Sequence, residues 1–329
     1  MEKRPKLTGI KSVSPGQQVV TFCVVRSNEI KLKQNGEPYL LLELGDKSGR
    51  LKARIWEHPR ETSTLAPKGS IVKIKAVVQK YRDTRELKIL KLRKATPEDG
   101  ISLADLLPAT QKDVGQLKAR FNTHRRSIKN QFLSILLTNL FAEQSFAEAY
   151  FLSPAGKLWH HNYLSGLVEH VVSMLDMSEV LKQHYPELSL DLLKCGIICH
   201  DVGKVFEYSL NGFIDLSDEG RLIGYVTMGY EIITRKIDQI DQFPGELKKQ
   251  LLHLILSHSP PASTGATIQP MTLEAIVLQH LIQLDAYANA ICRIRETDIL
   301  PGEKWSKYIP LLDRFIYALP ISDEASQKE

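Results

Sequence analysis

The spacing of apolar residues changes its period once along this chain, and that change limits the fold more than any other feature. Between residues 16 and 95 the apolar positions alternate. Leu51, Ala53 and Ile55 oppose Lys52, Arg54 and Trp56, and Val72, Ile74, Ala76 and Val78 oppose Lys73 and Lys75. A period of two puts an apolar face inward and a basic face outward on β-strands. From about residue 116 the period is helical: Leu167, Val168, Val171, Val172, Leu175 and Val180 largely form an i, i+3, i+4 stripe. One chain therefore carries a β-structured part followed by an all-α part, consistent with 329 residues at roughly 150 per domain.

Five runs read as strands: Gln18–Val25, Pro38–Leu44, Arg50–Trp56, Ser70–Gln79 and Arg85–Leu92. Turn chemistry at Asn35-Gly36 and Asp46-Lys47-Ser48-Gly49 separates several of them. Five strands in so short a stretch suit a small closed barrel. The polar run Ala95-Thr96-Pro97-Glu98-Asp99-Gly100 marks the boundary. The expected division is 1–95 barrel, 96–125 connector, 126–318 helical domain and 319–329 polar tail. Helices are expected over Leu117–Leu140, Leu164–His184 and Leu190–Phe206, then over 226–242, 246–258, 272–296 and 305–318.

Charge follows the same division. Residues 1–100 hold 22 Lys and Arg against 11 Asp and Glu, whereas residues 101–329 hold 21 against 27. A basic barrel joined to an acidic helical part points to a polyanionic partner for the barrel, most simply nucleic acid. No run approaches 18 apolar residues, so no membrane partner is expected. Met1–Lys6 leads into no apolar core, so no secretory signal is expected. Four cysteines are too few for a disulfide framework, and a cytoplasmic setting is the expectation.

The chemistry-bearing stretch is Cys199-His200-Asp201-Val202-Gly203-Lys204. Adjacent His200 and Asp201 can offer mixed nitrogen and oxygen ligands to a divalent transition metal, which lowers the pKa of bound water and polarises a phosphoryl oxygen. Lys204, one turn on, could meet a phosphate. His170 on the preceding apolar helix is a partner whose value depends on the rest of the pattern. Cys195 and Cys199 stand at i, i+4, but no second cysteine pair completes a zinc site, so they read as buried thiols.

Read in order, these segments resemble the YhaM-type 3′-5′ exoribonucleases, in which an OB-fold precedes an HD-superfamily phosphohydrolase domain. The likeness rests on Pro154–Lys157, His160-His161-Asn162-Tyr163 through Glu169-His170, His200-Asp201-Val202-Gly203-Lys204, Leu222-Ile223-Gly224, Leu254–His258 and Leu284-Asp285-Ala286, with Tyr39 to Trp56 upstream. It implies a five-stranded OB-type β-barrel followed by an all-α HD domain. It also implies a nucleic-acid-binding, metal-dependent phosphodiesterase acting on single strands, RNA rather than DNA, from the 3′ end. The ion would be a divalent metal such as Mn or Mg. Implied metal ligands are His170, His200 and Asp201, with Asp201 and Lys204 in catalytic roles. Asp285 and His258 are candidate further ligands. His161, placed in a loop before its helix, could contact substrate, and Lys52, Arg54, Trp56, Lys73 and Lys75 would hold the strand on the barrel.

The chain departs from that family at three positions. Tyr225 and Ser259 stand where histidines are usual, and Ile282 stands where an aspartate is usual. Isoleucine cannot ligate a metal, and hydroxyls are poor replacements for imidazole. A mononuclear rather than dinuclear centre is therefore expected. The alternative is a homologue that binds nucleic acid or a protein partner without hydrolysis. A homo-oligomer is left open.

Overall fold

The computed structural model describes residues 7–81, 84–210, 213–259, 268–297, 299 and 303–317. Five strands form a closed barrel in the order β1-β2-β3-β5-β4: β1 (Gln18–Leu32), β2 (Pro38–Asp46), β3 (Gly49–Ile55), β4 (Ile71–Tyr81) and β5 (Thr84–Lys94). β1 closes it by serving two partners. Gln18–Val24 pairs with β4 and Val24–Leu32 with β2, across an irregularity between Val25 and Ser27 that bends the strand. The last seam is parallel, Lys52↔Glu86 and Ala53↔Leu87. This is the OB-type strand order. The alternation read from sequence holds: Leu51, Ala53, Val72, Ile74, Ala76 and Val78 are buried in one core with Leu40, Leu42 and Leu44. Helix α1 (Pro59–Leu65) covers one end, and the Asn28 amide donates to the carbonyls of Ser63 and Ala66.

The connector lies against both parts. Leu106 packs on Phe22 and Val24 of β1. A few residues on, Leu164 N donates to Pro108 O at 2.9 Å and Thr110 N donates to Leu164 O at 3.0 Å. This short parallel bridge fastens the connector immediately before the helix that carries His170.

The helical domain comprises α2 (Val114–Ser127), α3 (Gln131–Phe141), α4 (Gln144–Leu152), α5 (Gly166–His184), α6 (Leu190–Cys199), α7 (Lys204–Glu207), α8 (Asp218–Leu222), α9 (Tyr225–Ile237), α10 (Gly245–Ser257) and α11 (Leu273–Thr297). Helix α5 runs through its centre, with Leu167, Val168, Val171, Val172 and Leu175 in the core. Two short strands, β6 (Tyr208–Ser209) and β7 (Asp215–Leu216), pair between α7 and α8.

Three expectations from periodicity are corrected. The helix expected over Leu190–Phe206 ends at Cys199, and a turn separates it from the short α7. The helix expected over 117–140 is broken at Asn130, whose side chain accepts from the amides of Phe132 and Leu133 and so starts a new helix. The helix expected over 305–318 does not form. The described part of that segment doubles back, with bridges Trp305↔Tyr317 and Ile309↔Arg314. Pro310 offers no amide hydrogen there, and Asp313 turns the chain at a φ of 53°. The expected tail 319–329 lies outside the described residues. Among the described residues no helix is long and apolar enough to cross a membrane.

Candidate metal centre and strand-binding surfaces

Close backbone approaches position the site. A Cβ at residue 166 would overlap the carbonyl of His161, so glycine there lets the loop 153–165 fold back over the start of α5. Gly203 meets the backbone of Tyr225 in the same way. That approach packs the turn after α6 against the first turn of α9.

Three buried histidines then share one arrangement. His200 and His258 are the C-cap residues of α6 and α10. The last carbonyls of a helix lack intrahelical amide partners. Here the imidazoles supply them: Nδ1 of His200 donates to Ile197 O and Nδ1 of His258 to Ile255 O, each at 2.7 Å. A carbonyl oxygen only accepts, so both rings carry their proton on Nδ1 and a lone pair on Nε2. In His170 the Nδ1 lies 2.6 Å from Asp285 Oδ2, which likewise leaves Nε2 as the lone-pair atom. The His170 and His200 rings are 5.6 Å apart, and those of His200 and His258 are 5.1 Å apart.

Nε2 of His170, His200 and His258 and Oδ1 of Asp201 are buried, and none has a hydrogen-bond partner among the described residues. His200 Nε2 lies 3.1 Å from Asp201 Oδ2, and His258 Nε2 lies 3.7 Å from Asp201 Oδ1. Acceptors facing acceptors repel unless a cation shares them. His170, His200 and Asp201 present ligand atoms within 4.8 Å of one another. His170, His200 and Asp201 therefore fit one metal ion, and His258 lies beside that grouping with its Nε2 3.7 Å from Asp201 Oδ1.

The electrostatics agree. Burial, then the neighbouring His200, pushes the His258 pKa down to about 3. Burial, then His200, likewise holds His170 well below the usual histidine range. Both rings are thus neutral lone-pair donors at pH 7. Burial alone would raise the Asp201 carboxyl, but nearby positive charge, that of the Lys204 ammonium included, outweighs it and holds it well below the usual carboxylate range. Lys204 Nζ is 2.7 Å from Asp201 Oδ2, donates to Ala155 O and sits over the Tyr225 ring. Its charge is engaged in holding Asp201, with Oδ1 left free.

Asp285 lies on the Nδ1 side of His170, where it orients the ring from behind. His161 is buried in its loop, held by a bond from its amide to Asn289 Oδ1, and its Nε2 is 3.6 Å from Asp285. Burial, then His170, lowers its pKa to about 4. His160, His161 and His170 form a second grouping with ligand-capable atoms within 4.8 Å. Sequence reading passed over Glu169, which is buried. It accepts from Thr110 Oγ1 and Tyr163 OH, and Lys112 pairs with it at 3.1 Å.

Tyr225 and Ser259 bond to each other, hydroxyl to hydroxyl, at 2.5 Å. Ile282 packs against the helical core. None of the three adds a ligand to the cluster.

On the barrel the five named residues do not share one groove. Lys73 and Lys75 line a cleft of about 450 Å³ with Lys91 and Arg93. Arg54 and Trp56 line another of about 580 Å³ with Tyr39. Lys52 is exposed on β3 and lines neither. Trp56 is 51% exposed, with its ring 4.8 Å from that of Tyr39 and Lys33 above it. Arg54 pairs with Glu86 at 2.5 Å, and Lys73 lies 3.6 Å from Asp99.

An OB-type barrel fastened to a helical domain that buries His170, His200 and Asp201 together defines an HD-domain protein with an OB-type module in front. The HD domain description matches residues 167–287, which include every member of the cluster. "3'-5' exoribonuclease YhaM" of Geobacillus sp. (strain WCH70) is 32% identical over 310 residues, covering 94% of each chain. The protein of the same name from Bacillus subtilis (strain 168) is 30% identical, covering 94% of this chain and 97% of that one. That from Listeria monocytogenes (strain EGD-e) is 30% identical over 317 residues, covering 96% and 98%. The chain belongs to this YhaM family. The solved second OB-fold domain of replication protein A from Methanococcus maripaludis overlaps 27% of this chain and 94% of that one, at 16% identity and a TM-score of 0.22.

Proposed function

We propose that this protein is a metal-dependent phosphodiesterase that shortens single-stranded RNA from its 3′ end, with one divalent ion held by His170, His200, Asp201 and His258. The observation that carries the reading is the grouping of His170, His200 and Asp201 within 4.8 Å, with buried, unpartnered acceptor atoms on all three and on the neighbouring His258. When bound, a divalent ion supplies an acidified water and polarises a phosphoryl oxygen. The chain's own residues prepare the place. Ile197, Ile255 and Asp285 fix three imidazoles in the ligating tautomer. Lys204 keeps Asp201 ionised and turned, which makes it a positioning residue. His160 and His161 line the approach from the 153–165 loop, and the barrel holds the strand through its lysines and the Tyr39–Trp56 pair.

The test uses purified protein, end-labelled single-stranded RNA and Mn²⁺, with metal content measured on the same samples. The wild type should shorten RNA and carry metal. The H200A/D201A variant should lose both, with activity down on the order of 10³-fold or more. RNA binding without shortening over several divalent metals would instead support a non-hydrolytic homologue, the reading that the Tyr225–Ser259 pair favours.

A further inference from the structure

The turn between β2 and β3 faces the loop that carries His160 and His161 across a cavity of about 340 Å³. Its barrel wall holds Lys11, Arg26, Lys47 and Arg50, its helical-domain wall holds Lys157, and among the described residues Asp46 is its one lining carboxylate. Asp46 is already occupied: it accepts from Ile10 N at 2.7 Å and from the amide and hydroxyl of Ser48. Arg26 and Arg50 share Glu43, each at 3.3 Å, and Lys157 pairs with Asp215. Lys11 and Lys47 are exposed, and neither has a carboxylate within 4 Å among the described residues. The cleft thus presents two uncommitted ammonium groups above a braced ring of cations.

Its position matters as much as its charge. Leu106, Leu107 and Pro108 of the connector line it, and so do Lys157, Leu158 and Asn162 of the loop. That loop continues through His160 and His161 onto His170, whose ring is 5.0 and 5.3 Å from theirs. A chain leaving the barrel toward the metal cluster meets this cleft between the two.

We propose that the cleft is a phosphate-backbone subsite for single-stranded RNA, holding the strand between the barrel and the cluster through Lys11 and Lys47. The inference rests on the exoribonuclease reading for its ligand. Ammonium groups on flexible stems track phosphates without reading bases, so the subsite is indifferent to sequence.

The test reads binding in EDTA, where hydrolysis plays no part, using labelled oligo(A) about 20 nucleotides long over a range of salt. Removing one cation that neutralises a phosphate of a single strand lowers the salt slope by about 0.7, so K11Q/K47Q should lower it by about 1.4 and weaken binding roughly 20-fold at 0.1 M salt. Lys157→Gln, on the opposite wall, should lower the slope by less than either of these lysines, because its ammonium is already paired with Asp215. R235Q/K249Q removes two equally exposed charges on α9 and α10 and serves as the charge-matched control. Wild-type affinity and slope in K11Q/K47Q, or an equal loss in the control, would each overturn the proposal. RNA shortening with Mn²⁺ is scored separately. An altered slope without any wild-type hydrolysis sinks the exoribonuclease reading and leaves the cleft. Hydrolysis with an unaltered slope sinks the cleft alone.

Discussion

The barrel and the helical cluster handle charge in opposite ways. On the barrel the cations are spread over several faces, partly exposed, and several are paired, as Arg54 is with Glu86 and Lys73 with Asp99. In the cluster the acceptor atoms of His170, His200, His258 and Asp201 are buried and unpaired among the described residues, while the Nδ1 atom of each of the three rings is hydrogen-bonded. The first arrangement gives affinity that is additive and forgiving. The second gives a site whose members depend on one another. The contrast shows how one chain can separate grip from chemistry.

Acid should break the contrast most sharply. Metal-stripped protein keeps His161 and His258 neutral when folded, with pKa values of about 4 and 3, whereas both rings titrate near 6.5 when unfolded. The unfolded state therefore binds more protons below about pH 6.5. Stability is full above that pH and falls as pH drops toward the folded values, by about 2 kcal/mol per ring at pH 5. His160 and His170, also held low by burial, add to the fall. Urea unfolding at pH 8 and pH 5 should show a loss on the order of 4 kcal/mol or more, largely restored by a bound divalent metal. A flat profile would mean that these rings are not buried as neutral ligands.

Asp285→Asn sharpens the distinction between ligand and support. The change keeps size but weakens the acceptor behind His170 Nδ1. Metal affinity, measured by titration calorimetry, should drop about 10- to 100-fold with RNA binding in EDTA unchanged. Complete loss of metal would make Asp285 a direct ligand.

The barrel should respond more gently. Trp56→Ala removes one stacking platform and should weaken single-strand binding by about 1–3 kcal/mol. Lys75→Gln should cost less, with the salt slope falling by about 0.7. Anisotropy titrations of both variants give the comparison, and a larger loss from Lys75 than from Trp56 would reverse the assigned roles.

Much of this was legible in the sequence because strict periodicity leaves few folds open. The alternation around Leu51–Ile55 and Val72–Val78 fixed which barrel faces are buried, and the His200-Asp201 dipeptide with His170 upstream marked the cluster. The rest depended on main-chain geometry. Nothing in the residue types at 197 and 255 announces that their carbonyls hold His200 and His258, because any residue supplies a carbonyl there. The available signal was an apolar helix ending on histidine, present twice. Likewise, Lys204 read as a phosphate ligand because its spacing from Asp201 was visible and its ion pair was not. The 305–318 segment misled because its apolar spacing mimics a helix while Pro310 and the turn at Asp313 forbid one.

The bridge between Pro108–Thr110 and Leu164 has a practical consequence for anyone dissecting the molecule. Cutting in the polar run at 96–100 leaves the strap on the helical fragment. Cutting near 126 removes the hydrogen bonds that seat the loop in front of His170, along with the Thr110 and Lys112 partners of Glu169. A fragment trimmed that far would report on a loosened setting of His170, so the two modules are separable only on the barrel side of the strap.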